Sequence, residues 1–183
     1  MANDQPSDPM PSDPMPFDPV PSDTVPFDTL SLTELEESAG ELQRRIAVTL
    51  RGLGEQRADT PDGAGMTPRR EVAALTAAYE LAALTLAAVA AGGVAEAPRL
   101  DRHPTLVAAL MYATPAIEAL LQRLEQDRRL IASIARSLES RLDEEHATPW
   151  GERRLRRLLV EVLLGASAQC ALRIEARAGH AEV

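Results

Sequence analysis

The sequence predicts an all-α fold: a helical bundle of four long helices plus one short helix, preceded by a disordered N-terminal tail. Three observations lead to this prediction. Ala, Leu, Arg and Glu dominate the chain after residue 30, and these residues favour helices. Aliphatic side chains recur there every three or four residues. Residues 1–30 instead carry a Pro/Asp-rich repeat. We therefore divide the chain into a tail (1–30), a bundle (31–178) and a short C-terminal tail (179–183).

The tail contains five copies of one pentapeptide between residues 6 and 30: PSDPM, PSDPM, PFDPV, PSDTV and PFDTL. Proline recurs too often for a helix, and apolar side chains are too few for the segment to fold alone. We therefore expect disorder with a bias to polyproline II. The only two phenylalanines of the protein, Phe17 and Phe27, occupy the second position of the repeat, although a folded core would ordinarily use them.

Phe17 with Asp18, and Phe27 with Asp28, form two copies of a candidate partner-binding motif. An aromatic anchor, a restricted backbone and an acidic contact suit recognition by another protein. Burial of one Phe is worth about 1.5–3 kcal/mol, so a single copy would bind weakly and two copies would gain by avidity. Two alternatives stay open: the repeat is an inert acidic spacer, or it is a strap over the bundle.

Each helix has a recognisable start. Ser31 and Glu34 form a capping box at the first helix, whose seam of three heptads ends near residues 52–54. The second helix has almost no polar face, so we expect it to be the most buried. Proline marks the starts of the later helices, at Pro68, Pro104, Pro115 and Pro149. The fourth helix is expected to run to about His146.

The fourth and fifth helices would then be joined by about two residues, which predicts an antiparallel helical hairpin. Its register places Leu142 near Leu155. The same register predicts a polar core layer, or less simply a small polar pocket, formed by Asp127, Arg128, Gln169 and Arg173.

Four arginines lie near the expected start of the fifth helix: Arg153, Arg154, Arg156 and Arg157. As an anion site they would grip phosphates at a helix N-terminus. As an interhelical clamp they would instead face the acidic residues 143–145 at the end of the fourth helix, and we favour this interpretation because the acidic partners lie close by.

Composition argues against several function classes. The net charge is −9, of which the tail contributes −6, and all 19 basic residues are Arg. This balance opposes non-specific binding to nucleic acid. Cys170 is the single cysteine, so no intramolecular disulfide forms. We find no catalytic constellation, cofactor fingerprint or metal-ligand spacing, and therefore expect a protein that is not an enzyme and uses neither cofactor nor metal.

The sequence also gives expectations about location. The N-terminus lacks the features of a secretory signal, and the uncharged run 81–95 is shorter than the roughly 20 apolar residues that span a bilayer. A cytoplasmic protein without a membrane partner is expected.

The resulting hypothesis is a non-catalytic interaction or adaptor protein, in which the bundle docks or self-associates and the repeats recruit a protein partner. Rows of small residues on the second helix are compatible with a homo-oligomer, although the core uses them more simply. The alternative is a small helical regulator that binds nucleic acid through the cluster from Arg153 to Arg157.

Overall fold

The structure is a computed structural model, and it describes residues 30–94, 98–99, 101 and 103–179. It confirms the all-α helical bundle. The first four helices are α1 (Leu32–Ala58), α2 (Pro68–Ala90), α3 (Pro104–Ala113) and α4 (Ile117–Ser137). A 3-10 turn (Glu139–Arg141) and a hairpin of strands β1 (Glu145–Thr148) and β2 (Gly151–Arg154) follow. The chain ends in α5 (Leu155–Leu159), a π-helix (Val160–Ala166) and α6 (Ser167–Gly179), which together form one C-terminal helix (residues 155–179).

Two expected helix starts are confirmed in atomic detail. The Ser31 side chain accepts a bond from the Glu34 backbone N–H at 3.2 Å, and the Glu34 carboxylate accepts from the Ser31 N–H at 2.8 Å. At α2, Pro68 occupies the first turn and the Thr67 hydroxyl accepts from the Arg70 N–H at 3.1 Å. These caps satisfy backbone donors that the first turn of a helix leaves without partners.

Helix α1 runs antiparallel to α4. Arg51, late in α1, pairs with Glu118 at the start of α4 at 2.6 Å. Glu36, early in α1, pairs with Arg136 at the end of α4. Gly54 has φ +70°, and α1 bends at this residue near its end. The sequence predicted the helix to stop at this place.

Two other neighbouring pairs are parallel. Arg156, at the start of the C-terminal helix, donates to the Leu30 carbonyl beside the start of α1, and Arg45 pairs with Glu175 further along both helices at 2.9 Å. Helices α2 and α4 are also parallel, because α3 returns the chain between them. The bundle therefore has two ends: the hairpin end, where α1 begins, and the pocket end, where α1 finishes and α2 begins.

The predicted side-by-side packing of the fourth and fifth helices is wrong, although Leu142 does lie beside Leu155, since the Arg156 N–H donates to the Leu142 carbonyl at 2.8 Å. Helix α4 packs mainly against α2 and α1, and the C-terminal helix packs against the same two helices from the other side. The expected fourth helix also ends at Ser137 instead of His146. Residues 138–154 instead carry the chain across the hairpin end, so α4 and the C-terminal helix lie at opposite corners.

Thr148 and Pro149 begin a tight turn instead of a helix, which corrects the predicted start of the fifth helix. The β-hairpin pairs Glu145 with Arg154 and Thr148 with Gly151. The Thr148 hydroxyl donates to the Gly151 carbonyl at 2.7 Å, and Gly151 has φ +93°, a conformation that glycine adopts without steric cost.

The core consists of aliphatic side chains from all the long helices. Helix α2 is the most buried of them, as its composition predicted. Leu124 and Ile131 of α4 are both buried. Tyr79 is fully buried at the centre, where its hydroxyl lies 2.7 Å from the Ser167 hydroxyl. Cys170 is fully buried too, and burial raises the pKa of its thiol.

Candidate functional site

The root of the repeat tail is fixed at the hairpin end. Leu30 is half-buried against the core, and its carbonyl accepts a hydrogen bond from Arg156 at 3.0 Å. The Ser31 capping box follows directly. The chain therefore enters the bundle at a defined point on its surface. The predicted motif residues Phe17, Asp18, Phe27 and Asp28 lie outside the described residues.

The four arginines of the predicted cluster do not share one helix N-terminus. Arg153 and Arg154 belong to β2, and Arg156 and Arg157 to the first turn of α5. Arg156 binds both carboxylate oxygens of Asp143, at 2.8 and 3.1 Å. These hydrogen bonds lower the pKa of the Asp143 carboxyl. This ion pair follows the predicted clamp.

The other arginines use a different acid. Glu161, one turn into the C-terminal helix, accepts from Arg157 at 2.9 Å and also from Arg153. Arg153 additionally donates to the Trp150 carbonyl, and the Arg99 guanidinium lies 4.8 Å from the centre of the Trp150 ring. Arg156 therefore forms the expected clamp with Asp143, whereas Arg153 and Arg157 pair with Glu161, which was not part of the predicted clamp.

The predicted polar core layer is wrong, because its two halves lie on helices at opposite corners of the bundle. Asp127 lies 3.5 Å from Arg123 on its own helix. Arg128 donates to Gln43 of α1 at 2.9 Å and to Glu125 at 2.9 Å.

On the C-terminal helix, Gln169 is half-buried and Arg173 lies 3.6 Å from Glu71 of α2. In the tertiary structure these polar side chains therefore contact residues other than the partners that the sequence predicted.

Asp127 is the most perturbed carboxyl of this region. It is 6% exposed between α2 and α4, and this burial raises its pKa to about 6. Arg123 opposes that shift, whereas the nearby Glu80 carboxylate adds to it. Arg123 itself binds Glu80 at 2.8 Å.

An open pocket of about 660 Å³ lies at the pocket end of the bundle. It is formed by the last turns of α1, the loop before α2 and the last two turns of α6. Its lining combines apolar side chains with a rim of three arginines, and consists of Leu53, Arg57, Thr60, Pro61, Asp62, Pro68, Arg173, Ala176 and Arg177.

A buried ion pair supports this pocket from behind. Glu71 is 1% exposed and accepts from Arg177 at 3.0 Å. Arg177 also donates to Asp62 at 2.8 Å. Hydrogen bonds from the Met66 backbone N–H and from Arg177 lower the pKa of Asp62, which favours the ionised carboxylate that holds the arginine. Sequence reasoning missed this network because its members are more than 100 residues apart along the chain.

One arginine of the pocket rim, Arg57, is not part of these ion pairs. Arg57 lies in the last turn of α1 and is exposed. Among the described residues its guanidinium has no hydrogen-bond or ion-pair partner. Arg173, the third arginine of the rim, lies 3.6 Å from the Glu71 carboxylate.

A second, larger groove of about 840 Å³ runs between α1 and α4. It is polar, and its charged side chains largely pair with each other. Arg51 binds Glu118 and Arg128 binds Glu125. Across the part of the chain that the structure describes, no group of three or more His, Cys, Asp or Glu side chains is arranged to hold a metal ion.

Helix α2 is long and apolar enough to cross a membrane, with a mean hydropathy of 1.8 in its most apolar window. That window is 78% buried within the bundle, which is also how the central helix of a globular domain behaves.

Comparisons with protein families, with curated proteins and with solved structures gave no match to this chain. Functional inference therefore depends on the sequence and on the geometry described above.

Proposed function

We propose that this chain is a non-catalytic interaction protein, in which the helical bundle is a folded platform and the repeat tail recruits a protein partner. One observation carries the proposal. Arg156 and the Ser31 capping box hold the root of the tail at a fixed point on the hairpin end. A short linear motif attached to such a point has a defined reach, which favours capture of a partner near the bundle.

The charges of the hairpin end support this proposal over the nucleic-acid regulator. Arg156 is bound to Asp143, and Arg153 and Arg157 are bound to Glu161. Binding phosphate there would require breaking these ion pairs, and the acidic tail starts at the same place. No observation favours the alternative over the adaptor.

The test compares three full-length proteins as bait: the wild type, the Phe17→Ala/Phe27→Ala variant, and a matched control with Ser12→Ala and Ser22→Ala. The control changes the same repeat position without removing an aromatic ring. We expect a specific partner to be retained by the wild type and the control and lost from the Phe variant. Identical capture by all three would contradict the proposal.

The same three proteins distinguish the adaptor from the alternative, a regulator that binds nucleic acid. A nucleic-acid regulator would be retained on duplex DNA, would be released by rising salt, and would be insensitive to the loss of both Phe side chains. The adaptor predicts little retention on DNA at physiological ionic strength for all three.

A further inference from the structure

We propose that the pocket at the end of α1 and α6 binds the Phe17–Asp18 motif of a second copy of this chain. The inference rests on the proposed function, because it names the partner that the repeat tail recruits. The pocket and the root of the tail lie at opposite ends of the bundle, so this contact joins the two copies head to tail.

The apolar part of the pocket lining suits an aromatic ring. Leu53 of α1, Pro68 of α2 and Ala176 of α6 supply apolar surface, and Pro61 extends it in the loop. A volume of about 660 Å³ lies within the range of small-ligand pockets, which is enough for a Phe side chain and its neighbouring residues.

The rim of the pocket suits the acidic residue that follows the ring. Three arginines line it against one carboxylate, Asp62, which Arg177 already binds. Arg57 has no partner among the described residues and is available to an incoming carboxylate. A tail with six Asp and no basic residue is complementary to this rim, and Arg binds carboxylates well because of its planar set of donors.

The tail of the same chain fits this pocket poorly because of the distance. The path along α1 from Leu30 to Leu53 is about 35 Å at 1.5 Å per helical residue. Phe27 is only three residues from Leu30, and reaches about 9 Å in polyproline II geometry. Phe17 reaches about 40 Å in polyproline II geometry, so the tail would have to run almost straight along α1 to bring this ring to the pocket. A second copy removes this constraint.

The groove between α1 and α4 is a weaker candidate for the same motif. Four glutamates line it, and two of its three arginines are bound to two of them. An acidic tail would meet net negative charge there, and the ion pairs would have to open before a carboxylate could bind.

The first experiment measures binding of a labelled peptide of residues 11–22 to the full-length Phe17→Ala/Phe27→Ala variant, whose own motifs are removed. We expect saturable binding by fluorescence anisotropy. The same peptide with Phe17→Ala should bind at least about tenfold more weakly, because the buried ring is lost. A peptide with Asp18→Asn should bind more weakly and with less dependence on salt.

Substitutions of two exposed arginines of α1 test whether the peptide binds in this pocket. Arg57→Glu in the receptor should weaken peptide binding about tenfold, since it reverses a charge on the rim. Arg44→Glu is the matched control: it lies on α1 beside the α1–α4 groove and should leave binding unchanged. Absence of saturable binding, or a loss caused by Arg44→Glu and not by Arg57→Glu, would overturn the assignment of this pocket.

The second experiment decides between a second copy and the tail of the same chain. Sedimentation equilibrium of the wild type should show an average mass that rises with concentration, and Phe17→Ala or Arg57→Glu should suppress the rise. A constant monomer mass over the concentrations at which the peptide binds would overturn head-to-tail association.

Failure of this inference is distinguishable from failure of the proposed function. If the peptide does not bind, but a different protein is captured in a Phe17- and Phe27-dependent way, the pocket assignment is wrong and the adaptor proposal stands. If neither result depends on the Phe side chains, both are wrong.

Discussion

The two ends of the bundle use arginine differently. At the hairpin end the half-buried Arg156 and the exposed Arg157 pair with Asp143 and Glu161. At the pocket end the half-buried Arg177 pairs with Glu71, whose carboxylate is buried, and the guanidinium of Arg57 stands at the rim without a partner among the described residues. The hairpin end therefore neutralises its own charge, whereas the pocket end keeps positive charge around an apolar surface.

This difference teaches that a cluster of arginines in a sequence is a poor guide to a binding site. The conspicuous run at residues 153–157 is largely satisfied by nearby carboxylates, whereas Arg57 is far in sequence from Arg173 and Arg177 and meets them only in the fold. Substitutions at the two ends should differ in their effect on the free energy of unfolding, and a core substitution in the middle of the bundle gives the largest effect for comparison.

The largest effect is expected for Leu124→Ala, between the two ends. The side chain is 1% exposed, so its loss should lower the free energy of unfolding by about 2–5 kcal/mol. Urea unfolding followed by circular dichroism measures this. A loss below about 0.5 kcal/mol would mean that α4 does not pack as described.

Glu71→Gln breaks the buried ion pair of the pocket end. We expect a loss of about 3 kcal/mol in the free energy of unfolding, because Arg177 and Arg173 keep their charge beside a neutral side chain. The matched control is Glu118→Gln, which breaks an exposed pair with Arg51 and should cost less than about 1 kcal/mol. Equal losses for the two variants would remove the contrast between buried and exposed pairs.

Asp127→Asn tests the buried carboxyl between α2 and α4. Its folded pKa of about 6 lies above the ordinary value of 3.8, so protonated Asp127 favours the fold. That contribution is fully present below pH 3.8 and is lost as the pH rises through 6. We therefore expect Asp127→Asn to stabilise the protein by about 1–2 kcal/mol at pH 7.

The gain from Asp127→Asn should shrink towards zero as the pH falls well below 3.8, where the wild-type carboxyl becomes protonated in both the folded and the unfolded state. Melting temperatures of the two proteins across this pH range measure the difference. A constant difference at all pH values would show that the effect is one of packing instead of charge.

Asp143→Asn probes the hairpin end and should have the smallest effect. Arg156 lowers the pKa of Asp143, so its ionised form stabilises the fold above the ordinary value of 3.8, and this contribution is lost as the pH falls through the lower folded pKa. Because Asp143 is exposed, we expect a loss below about 1 kcal/mol at pH 7. High salt should reduce it further, and a larger loss that resists salt would show that the hairpin end is more than a surface clamp.

Local features of the fold could be predicted from the sequence. The Ser31–Glu34 capping box, the proline start of α2 and the burial of α2 and α4 all follow from interactions within a few residues of each other. The turn at Thr148 was missed, although Pro at its second position and Gly at its fourth are typical of a β-turn. Thr-Pro also starts helices, and the two Thr-Pro pairs that precede helices earlier in this chain, at Thr67 and Thr114, concealed the difference.

For the candidate site, too, some features follow from the sequence and others only from the tertiary structure. The sequence alone determined which residues are apolar, where α1 and α2 begin, and that the two Phe side chains sit in an acidic repeat, because these depend on composition and short-range spacing. Only the tertiary structure decided that α4 and the C-terminal helix are separated, and that Arg57, Arg173 and Arg177 surround one pocket. A pocket is made by residues distant along the chain, and their meeting depends on how whole helices pack, which no local pattern specifies.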